Sequence, residues 1–494
     1  MTETVKLKGM NVILFITDQE RAIQHFPPGW AKQNLPGQTQ LKQNGLTFAR
    51  AFCAASMCSP SRSSMMTGYF PAQTGVKWTL EQTMQGPKYP QQVLPMDIPN
   101  LGTVMAAAGY ATPYKGKFHL TKYPEKAAGF VPHDVNKYGF QRWDPQDAGA
   151  NQDPSEFGGG NADNDGRFMN STGSVEEGDE GVIAYLQSDA AKQGPFFLVV
   201  SLVNPHDVLA YPKENEANGY SDPSCFEGSI GLPATVHEDL STKPRVQEEF
   251  LKLSTAGLGP LVTPQKKLNY INFYGNLMIL ADRYLVQMLQ TLETEGLLEN
   301  TLIIRTSDHG EMGLAHGGLR QKNFNFYEES LRVPLIYSNP KLYPKPAVSQ
   351  AMISHVDHLP TLASLFGAPA SACANWQGVD YSEVVLNPAA EPPQRYVVFT
   401  YDDYQSGQAS EVYPRPNNHI VSIREERYKL AKYYDLAHPK VPVEWEMYDL
   451  LTDPLETTNL AYSGYQRTPH EEAEFHRLQA DLAVVQQTRL HPLH

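Results

Sequence analysis

Three largely apolar runs mark the chain, at residues 11–16, 196–203 and 301–306. A run with no polar alternation is that of a strand covered on both faces, as in a parallel sheet between helices. Each run ends in polar residues: Thr17-Asp18-Gln19, Asn204-Pro205-His206-Asp207 and Ser307-Asp308-His309. In α/β proteins, ligands collect outside the C-terminal ends of such strands. A helical period appears at 99–109, with Leu101, Val104, Met105 and Ala108 on one face, Asn100 as cap and Gly109 as terminator. A longer helix is predicted over 263–296. It opens on Thr263 and Pro264, and Leu277, Ala281, Tyr284, Leu285, Met288 and Leu292 form its core stripe. Residues 20–50 predict a helix and a short extended run. Alternation at 396–401 and 422–434 predicts antiparallel strands, and 469–487 a terminal helix. The stretches 121–194 and 207–260 show neither period and are expected to be irregular, the first shaping the substrate entrance. The Ala/Pro-rich stretch 373–394 reads as a linker. The expectation is an α/β domain over 1–372, built on a large mixed, mostly parallel sheet sandwiched by helices. A smaller α+β subdomain follows over 373–494, with a small antiparallel sheet and the terminal helix.

Composition narrows the function. The chain has 494 residues, 41% hydrophobic and 10% aromatic, as a globular protein with a large core does. Its net charge of -14 argues against nucleic acid or an anionic membrane as partner. An anionic substrate would need locally placed Lys, Arg and metal. Four cysteines (Cys53, Cys58, Cys225 and Cys373) are too few for a disulfide scaffold. No apolar run reaches membrane-spanning length. Residues 1–9 are polar, and 10–16 pass directly into Thr17-Asp18, as a strand does and a signal peptide does not. A cytoplasmic location is the corresponding expectation.

The chemistry centres on Cys58, in Cys58-Ser59-Pro60-Ser61-Arg62 followed by Ser63-Ser64-Met65-Met66-Thr67-Gly68. Pro60 suits the first turn of a helix, Ser61 and Ser63 suit its caps, and Met65 and Met66 its inward face. Cys58 then lies at a helix N-terminus, where dipole and free N–H groups favour an anion. Arg62, one turn on, is able to grip an oxyanion. Lys117 and His119 share one face of an extended segment. Asp308 beside His309 suits a divalent ion, whereas Asp18 at a strand end is by itself more often a helix cap. Asp163 and Asp165 lie in a loop read as solvated. His355 and His358 read as capping or packing residues, and Trp78 and Asp207 as candidates for the pocket wall.

Cys-Ser-Pro-Ser-Arg with Met-Thr-Gly resembles the signature of the type I sulfatases, in the alkaline-phosphatase-like superfamily. Further similar motifs run in family order from residue 11 to about residue 460. They are Asp18-Gln19, Lys117-Phe118-His119, Asn204-Pro205-His206, Asp308-His309, Lys322, 327–334, 354–361 and 448–460. The resemblance implies an alkaline-phosphatase-like fold and a sulfuric ester hydrolase of the arylsulfatase kind, acting on small aryl or alkyl sulfate monoesters. It implies that Cys58 is converted to formylglycine by a formylglycine-generating enzyme, and that the hydrated aldehyde is the nucleophile. One divalent metal, Ca²⁺ or Mn²⁺, is expected on Asp18, Gln19, the modified Cys58, Asp308 and His309. Arg62, Lys117 and Lys322 are expected to neutralise the transferring group, His206 to protonate the leaving alcohol, and His119 to take a proton from the second hydroxyl. Gln19 departs from the Asp frequent in relatives. The alternative is therefore a phosphonate monoester or phosphodiester hydrolase of the same superfamily, where Asp-Gln and Asp-His pairs are common. The terminal helix is a candidate for a homo-oligomer contact.

Overall fold

The computed structural model describes residues 7–22, 25–82, 91–124, 127–149, 153–405 and 413–493. Residues 1–6, part of the polar lead-in, lie outside that set.

The three apolar runs form the centre of the molecule. β1 (Asn11–Asp18) lies between β4 (Phe197–Pro205) and β5 (Thr301–Ser307), parallel to both. β3 (Tyr114–Gly116) adds to β4, also parallel. Every residue of these four strands is buried. Burying each Val, Leu, Ile or Phe here contributes roughly 1.5–3 kcal/mol, which is why apolar residues stand on both faces of these strands with no regular polar alternation. On the other side β5 pairs antiparallel with β7 (Leu335–Ser338), and β7 with β2 (Gly45–Phe52). β2 also carries β6 (Arg332–Val333), antiparallel, and β8 (Ala347–Ser354), parallel. The order is β3-β4-β1-β5-β7-β2-β6, a mixed sheet whose parallel half holds the polar strand ends.

Helices cover both faces. The predicted 263–296 helix is Pro264–Thr294, with Thr263 Oγ1 accepting from the Lys266 N–H. The helix Leu101–Ala107 is capped by Asn100 Oδ1, which accepts from the Gly102 and Thr103 N–H groups. The first packs with Ile13, Phe15 and Leu198 on one face, the second with Val12, Leu14 and Val199 on the other.

β9 (Tyr396–Tyr401), β10 (His419–Glu425), β11 (Tyr428–Tyr434) and β12 (Glu444–Asp449) form the antiparallel sheet. Val397, Phe399, Ile420 and Tyr433 share the main core, so this sheet is a second layer on the first. The terminal helix Pro469–Thr488 closes its far side with Phe475, Leu478, Leu482 and Val485.

Three expectations are corrected. Residues 207–260 include a helix, Arg245–Leu258, docked by Val246, Phe250 and Leu258. Residues 373–394 are not a free linker, because Tyr381, Val384 and Val385 are buried and the Tyr381 hydroxyl meets that of Tyr337 at 2.7 Å. Asp165 is not solvated: its carboxylate accepts from the Val203 and Asn204 N–H groups at 2.6 and 3.0 Å and fixes the end of β4.

Candidate active site

Four parallel strand ends and one helix start converge at a single point. β1 delivers Asp18 and Gln19, β5 delivers Asp308 and His309, β4 ends just before His206, and the chain leaving β3 carries Lys117 and His119. Cys58 is the first residue of the helix Cys58–Thr67. No side chain caps that helix. Ser61 Oγ donates to the Asp308 carbonyl and Ser63 Oγ pairs with Thr74 Oγ1 at 2.8 Å, so both serines anchor the helix to its neighbours instead. Its positive end points at Cys58.

Cys58, Asp18, Asp308 and His309 each place one ligand-type atom within 4.8 Å of the others, all buried. Cys58 Sγ lies 3.4 Å from His309 Nε2 and 4.0 Å from Asp18 Oδ1. His309 Nε2 is 3.5 Å from Asp308 Oδ1 and 3.7 Å from Asp18 Oδ1. Gln19 follows in a left-handed conformation (φ 69°), and its backbone N–H donates to Asp308 Oδ1 at 3.1 Å. Its Nε2 donates to Glu311 Oε2 at 2.6 Å, and its Oε1 accepts from Lys322 Nζ at 2.6 Å. Those two bonds fix the orientation of the amide. Glu311 is held in turn by Tyr270 and the Gln321 N–H.

Arg62 is not where the resemblance implies. Its guanidinium is fully buried behind the carboxylates. Nε donates to Asp308 Oδ2 at 3.0 Å and Nη2 to Asp18 Oδ2 at 3.1 Å, while Nη1 serves the Lys117 carbonyl and Ser201 Oγ, both at 2.8 Å. It clamps the two acidic residues together and presents nothing to a transferring group. Lys117 Nζ donates to Asp18 Oδ2 and to the Gly149 carbonyl. Lys322 Nζ stands on the other side, on Gln19.

Charge follows this geometry. Burial pushes the Asp18 carboxyl up, but Lys117, His206 and Arg62 hold it below the ordinary range. Asp308 is raised, by burial and then by Asp18, which is the repulsion between two carboxylates sharing one dry site. Burial raises the Cys58 thiol, yet Lys117, Lys322 and His309 outweigh it and bring it well below its usual value. Burial lowers His206 to about 4, with Asp18 opposing and Lys322 assisting.

Both remaining histidines have one nitrogen free. His119 Nε2 faces the Leu80 carbonyl, and its Nδ1 has no partner among the described residues. His206 Nδ1 is likewise unpartnered. The 121–194 stretch holds them in place. Asp147 accepts from the Phe118 and His119 N–H groups, at 2.9 and 2.7 Å. Asp207 accepts from the Gly158 and Gly159 N–H groups and the Tyr220 hydroxyl. Asp207 is therefore a brace behind His206 and no part of the pocket wall. Trp78 does not line the pocket either; its ring packs edge-on against Tyr404. These braces escape sequence reasoning because an Asp in a loop carries no sign of the N–H groups it will meet.

A cavity of about 1100 Å³ opens over Cys58, His206 and Lys322, walled by Tyr123, Phe130 and Phe250 among others. His316 does not face it. His316 stacks on Tyr327 (3.6 Å, 7°) and bonds Glu238 at 2.7 Å, beside Glu329 and Glu456. Lys429 Nζ, 2.7 Å from Glu456, already compensates that cluster. His355 and His358 are internal, on Ser61 Oγ and the Tyr381 hydroxyl.

The model of the Sulfatase family matches residues 10–368, nearly three quarters of the chain. The chain belongs to the sulfatase family. It is a sulfuric ester hydrolase. A second family model, for the C-terminal region of N-sulphoglucosamine sulphohydrolase, matches residues 316–486 of this sulfatase and joins the two sheets. An ulvan-active sulfatase of Formosa agariphila is 24% identical to it, over 91% of this chain and 76% of that one. Among solved structures, a 2-O GAG sulfatase superposes with a TM-score of 0.69 at 21% identity, over 97% and 92% of the two chains. The phosphonate monoester hydrolase of Agrobacterium radiobacter superposes at 0.66 with 19% identity, over 97% and 96%. The sulfatase thus shares its fold with enzymes of both ester classes.

Proposed function

We propose that this sulfatase hydrolyses sulfate monoesters at Cys58, after conversion of that residue to formylglycine, with one divalent cation on Asp18, Gln19, Asp308 and His309. The observation carrying the reading is the convergence of those groups on a helix-start cysteine at the floor of the cavity. The residues fit a cation. Two carboxylates raise each other's energy in a fully buried space, and an imidazole nitrogen stands beside them. Oxygen donors with one imidazole suit Ca²⁺ or Mn²⁺. When bound, such an ion lowers the pKa of a hydroxyl and orients an ester oxygen. Formylglycine supplies a hydrated aldehyde as nucleophile.

The chain's own residues do the rest. Lys117 and Lys322 flank Cys58 with two positive charges that hold the anionic ester. His206 lines the cavity, and its Nδ1 has no partner among the described residues. An anion bound beside it opposes the burial that keeps it neutral, and so restores its capacity to protonate the leaving oxygen. His119 carries its proton on Nε2, against the Leu80 carbonyl, which leaves Nδ1 as a base. Arg62 contributes by fixing the two carboxylates.

One observation favours a second reading, hydrolysis of phosphonate monoesters or phosphodiesters. Gln19 replaces a carboxylate, and the phosphonate monoester hydrolase has the same fold. The deciding experiment is kcat/KM for an aryl sulfate, an aryl phosphonate monoester and a phosphate diester on one metal-defined preparation. The sulfate is expected to lead by at least a hundredfold. A lead for either phosphorus ester would overturn the sulfatase reading in favour of the second.

A further inference from the structure

The cavity above Cys58 holds more polar capacity than the chemistry at its floor uses. Four lining residues carry buried polar atoms with no partner among the described residues: Thr79 Oγ1, Glu81 Oε2, His206 Nδ1 and Gln321 Nε2. A buried polar atom left unpaired costs roughly 1–3 kcal/mol, so such atoms gathered around one space point to a ligand that satisfies them. His206 and Gln321 belong to the floor. Thr79 and Glu81 do not.

The segment carrying Thr79 and Glu81 is rigidly tied, and only these side chains are left over. The Thr79 N–H donates to Asp403 Oδ2 at 2.8 Å. The Leu80 N–H donates to Ser59 Oγ at 3.0 Å, and the Leu80 carbonyl accepts from His119 Nε2. The Glu81 N–H donates to Gln91 Oε1 at 3.0 Å, and its carbonyl accepts from Lys122 Nζ. Leu80 is thus bolted to the residue after Cys58 and to the proposed base. Thr79 and Glu81, two apart, stand on the cavity wall one residue to either side of it. Glu81 is 1% exposed. Burial, then Asp403 and Glu156, push its carboxyl up to about 8, with Lys122 opposing. Near neutral pH this group both donates and accepts.

We propose that Thr79 and Glu81 form the subsite for the alcohol half of the ester, and that this alcohol carries a hydroxyl or ammonium donor close to the ester carbon, as a monosaccharide sulfate does. The proposal rests on the sulfatase reading of Cys58. The cavity volume and the aromatic rings of Tyr123, Phe130 and Phe250 suit a sugar-sized group with apolar faces. A featureless alcohol leaves Glu81 Oε2 desolvated and unpaired. Sites built around such a group discriminate strongly against analogues that lack the donor.

The test compares kcat/KM for the 3-sulfates of glucose, galactose and glucosamine, whose C2 and C4 donors adjoin the ester carbon, with that for cyclohexyl sulfate, a secondary ring sulfate of the same size without donors. At least one sugar sulfate is expected to exceed cyclohexyl sulfate by about a hundredfold. Glu81→Ala is expected to cut that ratio at least tenfold, and Glu81→Gln, which keeps an acceptor oxygen, to preserve more of it. Glucosamine leading glucose identifies ammonium as the donor; equal rates identify hydroxyl. If no sugar sulfate leads cyclohexyl sulfate in the wild type, the subsite is overturned whether or not the variants fold. A lead that survives Glu81→Ala in folded protein overturns it equally. A wild type inert towards every sulfate, aryl sulfate included, overturns the chemistry at Cys58, and the subsite falls with it.

Discussion

Arg62 shows how far a single residue's chemistry and its geometry diverge. The sequence motif marks it as an anion-binding cation, which it is, but the anions are Asp18 and Asp308. Its donors serve two carboxylates, a carbonyl and a hydroxyl at once, which a lysine cannot do. Arg62→Lys should therefore cost about 3–5 kcal/mol of stability, the scale of breaking a buried ion pair, and abolish turnover. Urea unfolding checks this, and an unshifted midpoint would remove Arg62 from the clamp. Gln19 is a subtler case. Its amide joins Glu311 to Lys322, so Gln19→Ala leaves two buried polar groups without partners, at about 1–3 kcal/mol each. The expected result is a lower unfolding midpoint together with kcat/KM reduced at least tenfold, because Lys322 loses its anchor.

At the scale of elements, the site depends on loops that leave β1 and β5 in fixed directions. Gly310 follows His309 and packs on backbone: a Cβ there would lie 1.9 Å from the Glu329 carbonyl oxygen. Gly310→Ala should move His309, lowering both the melting temperature and the stabilisation gained on adding Ca²⁺ or Mn²⁺. Calorimetry with and without the ion measures both. Asn100→Ala serves as the comparison. It removes a cap worth about 1 kcal/mol from a helix that carries no site residue, and kcat should not change. The central strands were legible because burial on both faces leaves a mostly apolar run without regular polar alternation. β7 was not, being four residues long and directly after Pro334. The helix Arg245–Leu258 was missed because Val246, Phe250 and Leu258 are spread thinly among polar residues. Asp18, His206 and Asp308 were legible as candidates because each follows an apolar strand, whereas Cys58, at a helix start, and Lys322, in a loop, were legible only through their motifs. Their braces, Asp147, Asp165 and Asp207, hold backbone N–H groups that no sequence pattern announces.

Across the whole molecule, the second sheet is tied to the first by buried charge as well as by shared core. Glu328 bonds Arg424, and Lys429 bridges Glu328 and Glu456. His316 belongs to this region. Burial alone would lower it, but hydrogen bonds to Glu238 and Glu329 raise it to about 9, from about 6.5 unfolded. A raised imidazole stabilises the fold fully below the unfolded value, and that contribution is lost as pH rises through 9. The melting temperature should therefore fall between pH 7 and 9.5, and fall less in His316→Gln. A parallel decline in both proteins would assign the effect elsewhere. The large sheet holds Asp18, Asp308 and His309 around one cysteine, and the account stands on what that cysteine becomes. The most direct measurement is the mass of the tryptic peptide spanning residues 51–62, from protein with full sulfatase activity. The account predicts an aldehyde in place of the Cys58 thiol. Full activity from a peptide that carries only the unmodified thiol would contradict it.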